Sequence, residues 1–307
     1  MPEIALAPGP EEGVSAADAV IAGMPVAQVV ALAAARLERC GCETPRLDAE
    51  LLVGAALGVG RERLVLDSRR RLQGAEADRA RTLIERRCRR EPVAYILGRR
   101  DFRHLSLAVD PRVLIPRPET ELLVEVGLTL PHGARVLDLG TGSGAVALAL
   151  RQERPDLKVW GSDLSADALQ VARENARALG LEVRLVQADL LAGVGERFDA
   201  VLANLPYVAS GAELAPEIAG HEPPEALFAG PDGLAVIRRL VCQLSPAAGG
   251  RGEGLTSGPA SVPLVALEVG FDQAEAVEAL LRASGFESVQ RLRDLAGHER
   301  VLVGRRT

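Results

Sequence analysis

The sequence is short of lysine, aromatic residues, cysteine and histidine, and each shortage narrows what the protein can be. Of 36 basic side chains only Lys158 is a lysine, so positive charge is almost wholly arginine. Alongside abundant alanine and glycine this reads as genome composition, without functional weight. Five Phe, two Tyr and one Trp in 307 residues imply an aliphatic core and leave few rings on which nucleic-acid bases could stack. Cys40, Cys42, Cys88 and Cys242 form no Cys-x-x-Cys pair, which argues against a zinc site, and a chain this long has no need of a disulfide scaffold. The thiols are expected to be buried or incidental. His104, His132, His221 and His298 show no ligand spacing, so no metal is expected. The longest apolar stretch, near Met24 to Ala35, contains Pro25 and Gln28 and falls short of the ~20 residues that span a bilayer. No Arg precedes Arg36, so the positive start of a secretory signal is missing. These absences predict a soluble, cytoplasmic protein with no membrane partner.

What is present is a globular composition, 48% apolar and 25% charged, in a chain whose length suits two domains. Acidic residues exceed basic ones by 42 to 36, which weighs against coating nucleic acid through bulk charge, and no stable nucleic-acid complex is expected. Residues 1–22, rich in Pro, Gly and Glu, read as a mobile tail. Residues 23–91 read as a small helical bundle. Val26, Val29, Val30, Ala33 and Leu37 share one face, Leu47, Leu51, Leu52 and Ala55 another, and a third helix covers Ala75 to Arg90. Thr44 before Pro45 is a helix-start signal. Arg61 to Arg103 holds 14 Arg against 7 acidic residues, either a solvated face or a docking surface for something acidic. Residues 92–118 read as a β-hairpin linker, with Phe102 to Leu107 as one alternating piece and Val113 to Ile115 as the next after an Asp110-Pro111 turn.

From residue 119 to 307 strands alternate with helices. Strands are predicted at 135–139, 159–163, 183–188, 199–203 and 264–269, and helices at 145–152, 166–179 and 274–284. Such alternation implies a parallel sheet covered on both faces. Residues 289–293 and 300–303 read as two closing strands, and the glycine-rich stretch 249–263 as a flexible insertion.

The first of these strands runs into Gly140-Thr141-Gly142-Ser143-Gly144 and then a helix. Glycines let the backbone approach a ligand, and the helix start offers free N–H groups to an anion. With Ala145 the stretch also satisfies the G-x-G-x-x-G/A dinucleotide pattern, so alone it is ambiguous. Asp163 ends the second strand, where a carboxylate can accept from ribose hydroxyls. Asp189 follows the third, where it can accept from an adenine amino group while Leu190 packs on the ring; a turn-forming Asp would look the same. Together these resemble the class I S-adenosylmethionine-dependent methyltransferases.

After the fourth strand comes Asn204-Leu205-Pro206-Tyr207, at the carboxyl edge where open α/β sheets bind ligands. It looks like the Asn-Pro-Pro-Tyr motif of enzymes that methylate planar nitrogens, either adenine amines or glutamine amides. The Asn204 side-chain oxygen and the carbonyl of Leu205 can accept from an NH₂ group and aim its lone pair, while Tyr207 packs over the planar acceptor. Leu205 stands where that motif has its first proline, but Pro206 still holds residue 205 extended.

Further stretches lie in order along the chain: Glu91-Pro92-Val93-Ala94-Tyr95-Ile96-Leu97-Gly98, Ile115-Pro116-Arg117-Pro118-Glu119-Thr120-Glu121, Glu222-Pro223, Gly230-x-Asp232-Gly233, Glu268-x-Gly270 with Gln273, and Asp294-Leu295-Ala296-Gly297. Over roughly residues 25–307 they resemble the peptide chain release factor glutamine methyltransferases. The resemblance implies an α/β fold, a seven-strand Rossmann-like class I methyltransferase sheet carrying an N-terminal helical bundle that recognises the substrate. It implies a monomeric enzyme that passes a methyl group from S-adenosyl-L-methionine, leaving S-adenosyl-L-homocysteine, to the glutamine of the Gly-Gly-Gln motif in class I release factors. The donor would contact Gly140, Thr141, Gly142, Ser143, Gly144, Asp163, Asp189, Leu190 and Asn204. The glutamine would meet Asn204, Leu205, Pro206 and Tyr207, with Asn204, Pro206 and Tyr207 carrying catalysis. Residues 115–121 would buttress the site. Adenine-N6 methylation of RNA or DNA, glutamine methylation of a ribosomal protein, and a non-catalytic donor-binding module are the alternatives.

Overall fold

The chain divides into two compact units between Leu97 and Gly98. The computed structural model describes residues 22–245 and 262–306. The expected mobile tail and glycine-rich insertion lie, but for Ala22, Val262 and Pro263, outside the described residues.

The first unit is helical: α1 (Val26–Arg39), α2 (Pro45–Leu57), α3 (Arg61–Leu66), α4 (Gly74–Cys88) and α5 (Val93–Leu97). The valine and leucine stripe of α1 packs with Ala49, Leu52, Val53 and Ala56 of α2 and Ala77, Ala80 and Ile84 of α4. Thr44 does not cap the α2 backbone; its hydroxyl donates instead to Asp48 at 2.8 Å. Asp48 in turn receives the Nε–H of Arg87 at 2.7 Å, and both side chains are buried. This ion pair ties α2 to α4. Arg61, Arg63, Arg70, Arg81 and Arg86 each pair with a carboxylate of the same unit, so much of the local arginine charge is neutralised where it stands.

The second unit opens with a hairpin, β1 (Arg99–Phe102) and β2 (Leu105–Ala108), followed by a 3₁₀ turn at Pro118–Thr120 and α6 (Glu121–Leu128). The turn falls at Arg103-His104, inside the stretch expected to be one strand, and 113–115 is not a strand. Arg103 takes a left-handed φ of 50° and is anchored by the carboxylates of Glu125 and Glu153, which hold a tight turn where the alternation ran on unbroken. The Ile115 N–H donates to the Glu222 carboxylate at 3.2 Å rather than to a ladder.

Then follow β3 (Arg135–Leu139), α7 (Ala145–Glu153), β4 (Lys158–Asp163), α8 (Ala166–Leu179), β5 (Arg184–Gln187), β6 (Ala200–Ala203), α9 (Pro216–His221), α10 (Ala235–Leu244), β7 (Leu264–Glu268), α11 (Ala274–Ala283), β8 (Ser288–Arg293) and β9 (Glu299–Arg305). They build one mixed seven-strand sheet in the order β5-β4-β3-β6-β7-β9-β8. β5 to β7 are mutually parallel, and β9 runs antiparallel to both β7 and β8. Alternate strand residues feed two cores. Val136, Ala200, Leu202, Leu264 and Ala266 face α6, α7 and the hairpin, while Leu137, Val201, Ala203, Val265 and Leu267 face α10 and α11. The order reverses between β3 and β6, which places the crevice for a ligand beyond their carboxyl ends.

Truncating one partner of the buried pair leaves an uncompensated charge. Asp48→Ala is expected to cost about 3–5 kcal/mol in urea unfolding. Arg46→Ala, which removes the exposed pair with Glu50, is expected to change it by less than about 1 kcal/mol.

Candidate active site

The turn after β3 is held by the sheet itself. The N–H groups of Gly140 and Thr141 both donate to the Ser162 carbonyl, at 2.8 and 2.9 Å. α7 starts at Gly144 without a side-chain cap, leaving first-turn donors to be met from elsewhere. Asp138, buried in β3, supplies the acceptor: one carboxylate oxygen takes the Thr141 hydroxyl at 2.6 Å and the Ala147 N–H at 3.0 Å. Burial pushes the Asp138 carboxyl up to about 7, opposed by these two hydrogen bonds. Asp163, at the end of β4, accepts from the N–H of Gly142 and of Ser165, each at 2.9 Å and each on a different oxygen. Burial raises its pKa as well. Asn175 of α8 bonds the Ser143 carbonyl at 2.9 Å and both backbone groups of Ala108, so the hairpin and the glycine turn share one side chain.

Beyond this turn lies a cavity of about 530 Å³, lined by Gly140 to Ser143, Asp163, Asp189, Leu190, Asn204, Leu205 and Pro206, among others. Gly144 and Tyr207, also expected at the site, are not among its lining residues. Gly144, at φ 86°, is the N-cap of α7. Asp189 is half exposed, and its carboxylate pairs with Arg239 of α10 at 2.5 Å. Leu190 is buried with φ at 55°, a left-handed conformation that a leucine rarely adopts.

On the far wall, Asn204 follows β6. Its Nδ2 donates to the Thr120 hydroxyl at 3.0 Å, and no group among the described residues donates to its Oδ1. The Leu205 carbonyl likewise takes no hydrogen bond from the described residues. Two glycines let this segment sit where it does. A Cβ on Gly140, at φ 76°, would lie 3.3 Å from the Asn204 carbonyl oxygen, and one on Gly233, at φ 72°, would collide with the Tyr207 carbonyl. Gln273 donates to that same carbonyl at 2.9 Å, and the Tyr207 hydroxyl donates to Glu268 at 3.4 Å. Residues 115–121 reach the site through Thr120 and through Arg117, which pairs with buried Glu222 at 2.5 Å. Thr120, Asp138, Asn175, Glu222, Glu268 and Gln273 were not singled out as site residues from sequence. Four of them, Thr120, Glu222, Glu268 and Gln273, sit in stretches that carried the family resemblance, which was the available signal.

The family described as PrmC N-terminal domain matches residues 28–98, and the one described as Methyltransferase small domain matches 118–221. The release factor glutamine methyltransferase of Caulobacter vibrioides is 43% identical over 277 residues, covering 88% of this chain and 92% of that protein. The one of Rhodospirillum rubrum is 40% identical over 304 residues, covering 97% and 90%. This chain belongs to the release factor glutamine methyltransferase family. Among solved structures, the hMettl16 catalytic domain in complex with an RNA hairpin has a TM-score of 0.50 at 17% identity over 75% of this chain and 81% of that one, a likeness of fold. Family membership makes the cavity at the carboxyl edge of the sheet the candidate site of methyl transfer.

Among the described residues no helix is long and apolar enough to cross a membrane, and no group of three or more His, Cys, Asp or Glu could hold a metal ion.

Because the folded pKa of Asp138 lies above the ordinary 3.8, the folded chain keeps a proton that the unfolded chain releases as pH rises. This contribution to stability is therefore present in acid and lost as pH climbs to about 7. Asp138→Asn does not titrate, so its melting temperature is expected to gain on the unsubstituted protein over that window. A difference in Tm that stays flat with pH would contradict the assignment.

Proposed function

We propose that the protein transfers the methyl group of S-adenosyl-L-methionine to the side-chain amide of the glutamine in the Gly-Gly-Gln motif of class I release factors. The observation that carries this reading is the Asn204 side chain. With Nδ2 committed to Thr120, its Oδ1 remains to accept from an incoming NH₂ group, and the Leu205 carbonyl offers a second acceptor beside it. Two acceptors side by side suit an amide nitrogen, which has two hydrogens to give.

The cavity also suits the methyl donor. The Asp163 carboxylate, which accepts from the backbone of Gly142 and Ser165 and is also approached by the Leu164 N–H, keeps acceptor capacity for a ribose hydroxyl. Gly140 to Gly144 would border the donor's amino-acid end, and Leu190 with Asp189 its adenine end. When bound, the donor supplies an electrophilic methyl group on a sulfonium sulfur. The chain's own part is orientation. An amide lone pair is delocalised and a poor nucleophile, so holding it in line within a site that excludes water is the main contribution available. The nitrogen becomes acidic only as the new C–N bond forms, and no base is required beforehand. Pro206 keeps Leu205 extended, and Tyr207 anchors the end of the segment through Glu268 and Gln273. On this reading the helical residues 23–91 recognise the release factor, and 119–307 carry out the transfer.

Tritiated methyl donor offered to purified release factor is expected to label it, and to leave a variant with the Gly-Gly-Gln glutamine replaced unlabelled. Equal labelling of the two would overturn the reading. Asn204→Ala is expected to lower kcat on the order of 100-fold while the chain stays folded.

A further inference from the structure

Asp189 and Leu190 line the cavity, yet the turn that carries them does not set its own shape. The Ala192 N–H donates to the Asp189 carbonyl at 3.1 Å, closing a four-residue turn over 189–192. Leu190, its first central residue, has φ at 55°, while Leu191 is not among the residues of positive φ. That is the φ pattern of a type II′ turn, whose first central position ordinarily belongs to glycine. The left-handed conformation is disfavoured for leucine, so the turn left to itself would relax to negative φ and aim the side chain elsewhere. The restraint comes from α10. Val236, Arg239 and Gln243 are spaced to share one face of that helix, and the first two line the cavity. Arg239 donates to Asp189 Oδ2 at 2.5 Å, but that pair joins half-exposed side chains and is weakened by solvent. Gln243 grips the backbone itself: its side-chain oxygen accepts the Leu191 N–H at 2.9 Å in a part-buried position. A backbone N–H can only donate, so the amide must present Oε1 to it. This N–H belongs to the central peptide of the turn, whose rotation separates type II′ from type I′. Holding it selects the form in which Leu190 alone takes positive φ.

We propose that Gln243 is a positioning residue for the methyl donor. By holding the Leu191 N–H it keeps Leu190 in the conformation that lines the adenine end of the cavity, and so it sets affinity for the adenosine half that donor and product share. The proposal rests on the reading of this cavity as the donor site. Gln243 does not itself line the cavity, and it lies apart from the Asn204 segment, so its effect belongs to donor binding and not to the glutamine amide.

Calorimetry on the full chain gives the Kd of S-adenosyl-L-methionine and of S-adenosyl-L-homocysteine, and steady-state assays with release factor give kcat and KM. Gln243→Met, of similar length but without an amide, should raise both Kd values by the same factor, on the order of 10-fold. At saturating donor, kcat and the KM for release factor should stay within about twofold, the signature of lost uniform binding. Gln243→Glu keeps an oxygen in place and should hold both Kd values within about threefold of the unsubstituted chain. Gln243→Asn, one carbon too short to reach, should behave as Gln243→Met does, and it stands in should that variant fail to fold. Unchanged Kd values in Gln243→Met overturn the proposal, and so does Gln243→Glu binding no better than Gln243→Met. A KM for release factor that rises in step with the donor Kd marks a merely structural role and overturns it as well. If the unsubstituted chain binds neither ligand, the donor reading and this one fall together. If it binds both but leaves release factor unlabelled, the methylation reading falls alone and the Kd comparison still decides the role of Gln243.

Discussion

The hydrogen bonding of the glycine turn after β3 is the constraint on which the carboxyl edge of the sheet depends. Three successive glycines at positive φ cannot hold a shape by themselves, and an unpaired buried N–H costs about 1–3 kcal/mol. Asp138 below the turn and Asp163 beside it close that account by accepting from Thr141, Ala147 and Gly142. Asn175 then fastens the Ser143 carbonyl to the strand Leu105–Ala108. One turn thus fixes the start of α7, the position of α8 and the seat of the hairpin, all while leaving backbone exposed to the cavity. Burial raises the pKa of both carboxyls, and the Asp163 charge adds to the rise at Asp138, the cost of holding a loop without side chains of its own.

The wall formed by Asn204 to Pro206 is built in the opposite way, by reach across the sequence. The segment Asn204 to Tyr207 follows a short buried strand and has few contacts that its own neighbours could supply. Thr120 holds its start, Gln273 and Glu268 hold its end, and Gly233 gives it room. Glu222 draws residues 115–117 to the same edge through Arg117 and the Ile115 N–H. Each brace comes from a different part of the chain at the carboxyl edge.

This difference explains what could be read before the fold was known. The seven strands and the helices 145–152, 166–179 and 274–284 follow from periodicity, and the observed elements differ from the expected bounds by a residue or so. The glycine turn and the Asn204 segment were legible because their chemistry is contiguous. Thr120 and Asn204 are 84 residues apart, Tyr207 and Glu268 61, and Ile115 and Glu222 107, and no local pattern encodes such pairs. The same limit misplaced the hairpin turn, since the carboxylates that fix Arg103 come from α6 and α7. It also hid the partner of Asp189, an arginine 50 residues on.

One departure from local rules lines the cavity, and another holds the end of the Asn204 segment. Among the described residues three other than glycine have positive φ, and Leu190 is the one that lines it. That conformation costs roughly 1–2 kcal/mol, and α10 supplies what holds it. Gln243 accepts from the Leu191 N–H at 2.9 Å while Arg239 takes the Asp189 carboxylate, so the strained residue is pinned on both sides. Glu268 breaks a second rule by burying a carboxylate oxygen without a partner. A strained leucine and an under-satisfied carboxylate survive in a fold only where surrounding structure over-determines them. Here one lines the cavity and the other holds Tyr207 at the end of the Asn204 segment, each braced from elements distant in sequence.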